Sequence, residues 1–99
     1  MLQVNPAVDI SEVCQTNVNI CTIYSEMGKH EIALKYVEAA VRILDKEYER
    51  RMGFDENTQE KFQMCSLVAT AFHNAAVEYE HVKDYPICLI HYQKAARIA

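Results

Sequence analysis

Apolar positions along this chain recur at intervals of three and four over long stretches, the spacing that gathers side chains into one stripe along an α-helix. The first stretch predicts a helix over 6–27. Asn5 stands as its N-cap and Pro6 fills the first turn, where a missing N–H is harmless; Gly28 ends it. Its stripe reads Ile10, Val13 or Cys14, Asn17, Ile20 or Cys21, and Tyr24. A second helix starts within a few residues of Gly28 and runs to about Met52, with Ile32, Ala33, Tyr36, Val37, Ala40, Ile43, Leu44 and Tyr48 on its inner face. The pairs Glu31/Lys35, Glu38/Arg42 and Glu47/Arg51 lie four apart, acid before base, and mark the opposite side as solvated.

Gly53-Phe54 reads as a left-handed helix end with its hydrophobic clasp, and Asp55 or Asn57 caps the next helix, Glu60 standing three residues after Asn57 as in a capping box. The third stripe is the most regular: Phe62, Cys65, Val68 or Ala69, Phe72, Ala75 or Ala76, Tyr79 and Val82. Residues 83–86 interrupt it, and a fourth helix runs from about Pro86 to Ala99. The connections are short, so consecutive helices pack antiparallel. The expected fold is all-α, a single domain over 1–99.

The chain also repeats itself. Residues 20–33 align without gaps on 75–88, and 36–43 on 91–98, so a helical hairpin is written twice, over about 6–52 and about 57–99. Asn17, Ile20, Cys21, Tyr24, Gly28, Ala33, Val37 and Ala40 in the first hairpin answer to Phe72, Ala75, Ala76, Tyr79, Cys88, Tyr92 and Ala95 in the second. At these residues the chain resembles the tetratricopeptide repeat family. Small Cys21, Ala33, Ala40, Ala76, Cys88 and Ala95 suit close helix approach, and the tyrosines and Phe72 fill space between hairpins. It departs from the family in lacking the closing proline of each repeat, in carrying Lys83 where the first hairpin has Gly28, and in its spacing. Gly28 and Lys83 are 55 positions apart, against a family period of about 34. The surplus lengthens the second and third helices, as in the kinesin light-chain type and related cytoskeletal adaptors.

The resemblance implies a concave groove, lined by the first helix of each hairpin, that receives a partner peptide. Its face on this chain comprises Gln15, Asn19, Thr22 and Glu26 from the first helix, and Thr70, His73, Asn74, Val77 and His81 from the third. Asn19 and Asn74 occupy equivalent positions, and a side-chain amide both donates to and accepts from a peptide backbone. Relatives that capture a terminal carboxylate use basic groove residues; the corresponding positions here hold Val18, Thr22, Thr70 and Asn74, so a neutral or basic ligand is expected. Stacked repeats need neighbours on both faces. Ile87, Leu89, Ile90, Tyr92 and Ile98 are spread around the last helix, which predicts further repeats of a larger protein or self-association through Ile87, Ile90 and Ile98.

Composition narrows the function further. Two glycines and two prolines are too few for a turn-rich β-fold, and 51% apolar with 24% charged residues excludes a disordered tail. A net charge of −4 argues against nucleic acid as a partner. No apolar run has the length of a membrane span, and no signal peptide is visible. Cys14, Cys21, Cys65 and Cys88 all fall on apolar stripes, as free thiols of a reducing cytosol do. His30, His73, His81 and His91 lack the paired spacing of a structural zinc site, and no phosphate loop or nucleophile elbow is present, so neither metal, cofactor nor catalysis is expected. The sequence therefore predicts a cytoplasmic scaffold or adaptor, in the manner of cytoskeletal relatives, that binds a peptide or partner helix. The competing expectation is a structural module that self-associates through its long helices or terminal helix.

Overall fold

The structure, a computed structural model, describes residues 10–52 and 58–98. Among them the chain forms four α-helices and no strand: α1 (Ile10–Glu26), α2 (His30–Met52), α3 (Thr58–His81) and α4 (Tyr85–Ile98). The cap read at Asn5-Pro6, the helix end read at Gly53-Phe54 and the capping of α3 by Asp55 or Asn57 with Glu60 lie outside the described residues. No described helix is long and apolar enough to cross a membrane.

Both tight turns are the same object. At the first, Gly28 adopts φ 78°; its N–H donates to the Ser25 carbonyl at 3.0 Å and the Lys29 N–H donates to the Tyr24 carbonyl at 2.9 Å. This pair of bonds satisfies carbonyls that the end of a helix otherwise leaves open. At the second turn the Lys83 N–H donates to Glu80 at 3.0 Å and the Asp84 N–H to Tyr79 at 2.9 Å, with Lys83 at φ 67°. The residue that departs from the repeat in type thus keeps its conformation. Lys29 and Asp84 then open α2 and α4, their carbonyls accepting from Ala33 at 3.0 Å and Cys88 at 2.9 Å.

Helices pack as consecutive pairs, and α1 also touches α3, in a slab with extents of 40 × 38 × 17 Å. Within hairpins the approach is close because the facing residues are small: Cys21, Ala33, Ala40, Ala76, Cys88 and Ala95 are all buried. The Cys14 thiol reaches the Ala40 carbonyl of α2 at 3.9 Å. Ring pairs repeat as well. Tyr24 stacks on Tyr36 at 5.7 Å, and their equivalents Tyr79 and His91 meet at 5.0 Å. Phe72, Leu44, Val37 and Val68 are the bulk of the fully buried core.

The open alternatives of the stripes settle on Cys14 over Val13 and on Val68 over Ala69, while Ala75 and Ala76 are both buried. Other positions differ from expectation. Phe62, Ile32 and Ile43, read as core, are exposed, Phe62 at 73%. Val18, read as a groove position, is buried against the other helices. Glu47, assigned to the solvated side beside Arg51, is 8% exposed and is held by Arg50 through two bonds of 3.1 and 2.9 Å. A fork of two parallel bonds lets a carboxylate leave bulk water.

Candidate functional site

The repeat register sets Gln15, Asn19, Thr22 and Glu26 of α1 against Thr70, Asn74, Val77 and His81 of α3, position for position. The four α1 residues are exposed along one side of the helix, as are Thr70 and His81, while Asn74 and Val77 are half-buried. The two helices are in contact. Local bonds order part of the surface. Gln15 donates its side-chain N–H to Asn19 Oδ1 at 3.1 Å, Thr22 donates to the Val18 carbonyl at 3.2 Å and Thr70 to the Ser66 carbonyl at 2.8 Å. Asn19 keeps its amide donors, and both hydroxyl oxygens keep acceptor capacity.

His73 turns away from this stripe. Its ring meets Tyr92 of α4 edge-on at 5.5 Å, and both line an open cleft of about 430 Å³ with Ala69, Thr70, Ala95 and Ala96. A larger cleft of about 620 Å³ lies further along α3, between Lys61, Phe62, Cys65 and Thr70 and the end of α4 at Ile98. Of the residues expected to self-associate, Ile87 and Ile98 pack half-buried against the core. Ile90 is 52% exposed and its neighbour Leu89 58%.

A polar cluster that periodicity did not reveal joins the two hairpins. Glu78 of α3, only 3% exposed, meets His30 Nδ1 of α2 at 2.8 Å. Ser25 Oγ stands 3.4 Å from the same nitrogen. The His30 ring lies parallel on His81, with centroids 3.8 Å apart and planes within 3°. Burial, and then the nearby Glu78 charge, pushes the Cys21 thiol up to about 12, so this thiol stays protonated. In the sequence Glu78 stands beside the stripe residue Tyr79, and nothing in the spacing singled it out. Its partner, 48 positions away, follows only from the packing of α3 on the first hairpin.

A second network ties α4 down. Tyr92 donates its hydroxyl to Glu80 at 3.1 Å, and burial, followed by that bond and the Glu80 charge, raises its phenol above the usual range. The His91 ring sits between Phe72 and Tyr79, with Nδ1 3.0 Å from the Ile87 carbonyl. Lys94 places Nζ 5.1 Å from the centre of the Phe72 ring and 3.4 Å from Asp45 of α2. The four cysteines are unpaired thiols; Cys14, Cys21 and Cys88 are buried and Cys65 is half-buried. Among the described residues no three His, Cys, Asp or Glu side chains converge as ligands of an ion would. Neither a protein-family model nor a curated protein nor a solved structure matches this chain.

Proposed function

We propose that this chain is a tetratricopeptide-like interaction module, a scaffold or adaptor that binds an extended peptide or partner helix along α1 and α3. One observation carries the reading: Gln15, Asn19, Thr22 and Glu26 are exposed on α1, and on α3, which touches it, their equivalents Thr70 and His81 are exposed while Asn74 and Val77 are half-buried. Side chains on both helices therefore reach one ligand, and the two asparagines supply paired donors and acceptors for its backbone. His73 borders the surface from the α4 side. Glu26 and the net charge of −4 favour a neutral or basic ligand over an acidic one. The unpaired thiols fit a reducing compartment such as the cytoplasm.

The test is selection of peptides from a displayed random library on the immobilised protein, followed by titration of a selected peptide against variants. Two hydrogen bonds of about 1 kcal/mol each make the double variant Asn19→Ala/Asn74→Ala weaker by about 30-fold. Arg42→Ala, on the exposed side of α2, leaves binding unchanged. Peptides whose affinity ignores the asparagine substitutions, or a library that yields no binder, would exclude this groove.

A further inference from the structure

The repeat allows burial to be compared at equivalent positions, and the comparison exposes two unmatched faces. The first hairpin is covered by α3: Val18, Val37 and Val41 are at most 6% exposed, and His30 meets Glu78. On the second hairpin the equivalents are open. His73 and Ala96 are exposed, Tyr92 is half-buried, and Tyr85, which answers to His30, is 58% exposed. The cleft of about 430 Å³ lies on this face. Conversely, α3 covers the first hairpin with Val68, Ala71, Ala75 and Glu78, all at most 3% exposed. Their equivalents on α1 are Val13, Thr16, Ile20 and Ile23, continued by Met27. Val13, Ile23 and Met27 are 44%, 56% and 57% exposed.

We propose that these faces join two copies of this chain head to tail, α1 of one copy seating on the α3–α4 face of the next as α3 seats on α1–α2 within the chain. The proposed interface continues one that already exists inside the molecule. The matching turns at Gly28 and Lys83 give both hairpins the same connection, so the same docking operation applies to each. Residue types support it from both sides at once. Inside the chain a buried carboxylate, Glu78, is matched by an imidazole, His30; at the junction between copies their equivalents are Ile23 and Tyr85, both large apolar surfaces. An isolated carboxylate facing Tyr85, or an isoleucine facing His30, would be mismatched. The donor and acceptor faces differ, so the contact is heterologous and assembly continues past a dimer into a ring or a filament. This inference does not rest on peptide binding, although on α3 the docking face shares Thr70 and His73 with the groove, since both line the cleft.

The experiment is light scattering and sedimentation velocity of the whole chain across a concentration series, with one variant blocking each face. Ile23→Glu closes the α1 face and Ala96→Glu the α3–α4 face; both sites are exposed, and thermal melts verify folding. Met27→Lys and Tyr85→Lys serve as a second pair at other exposed positions. Wild type should grow past a dimer with concentration, and each variant alone should remain a monomer. Mixing the two opposite variants should restore a heterodimer and nothing larger, because one competent face remains on each. A wild type that stays monomeric up to millimolar concentration, a variant that still associates alone, or a mixture that stays monomeric would overturn the proposal.

Discussion

Lys83 holds φ 67° at the position where Gly28, one repeat earlier, holds φ 78°. Each donates its N–H to the carbonyl three residues back and ends a helix with the same pair of bonds. Glycine reaches the left-handed region freely; a residue with a Cβ pays about 1–2 kcal/mol there.

Lys83→Gly should therefore stabilise the fold. Relief of that strain is offset in part by the extra freedom of glycine in the unfolded chain, about 0.4–1 kcal/mol, leaving a net gain of about 0.5–1 kcal/mol. Gly28→Ala should cost about 1 kcal/mol through φ alone, because an added Cβ meets nothing within 4 Å. Urea midpoints of the two variants, moving in opposite directions at unchanged slope, check both.

Phe62, read as core from periodicity, and Val18, placed in the groove by the family resemblance, exchange those roles. Phe62→Ser, at a side chain 73% exposed, should change stability by no more than about 0.5 kcal/mol. Val18→Ala, at 2% exposure, should cost about 2 kcal/mol through lost burial and the cavity left behind. Equal effects in chemical denaturation would show that Phe62 is covered in solution.

Periodicity and turn residues made the helices, the hairpin repeat and the small-residue seams legible, because each depends on spacing within a few turns. What was not legible depends on which helix stops where and on what lies opposite. Phe62 continues the α3 stripe, but it lines an open cleft with Ile98 of α4 and is 73% exposed. Glu47 reads as a surface acid although Arg50, three residues on along the same helix, holds it, whereas the partner of Glu78 lies on another helix at His30. The stripes on α1 and α3 were readable as equivalent positions, while the turning of His73 toward Tyr92 follows from the position of α4.

Stability should fall in alkali. Burial and the Glu78 charge raise the Cys21 thiol to about 12, whereas an unfolded thiol ionises near pH 8.5–9, approximately. Above that range the unfolded chain gives up a proton that the native state keeps. It then binds fewer protons, so the stabilising contribution, complete below about pH 9, is lost as pH rises through the folded value. Cys14, Cys88, Tyr48 and Tyr92 are raised too and act in the same direction. Urea midpoints measured from neutral pH upward should decline beyond about pH 9, and Cys21→Ala should shallow the decline. An unaltered slope in that variant would mean that the thiol already ionises in the native state.

The His30–Glu78 contact should show strong, one-sided energetics. His30→Ala leaves a carboxylate at 3% exposure without its imidazole, a loss of about 2–3 kcal/mol for a buried group bonded to charge. Glu78→Ala strands only His30, whose side chain is 24% exposed and reaches water, so it should cost less. The double variant should recover part of the sum, giving a coupling of about 1–2 kcal/mol in a double-mutant cycle. His81→Ala removes the ring stacked on His30 but not the carboxylate, and should cost about 0.5–1 kcal/mol. Additive single effects of His30→Ala and Glu78→Ala in thermal or urea unfolding would show that the two hairpins are held together by the apolar core alone.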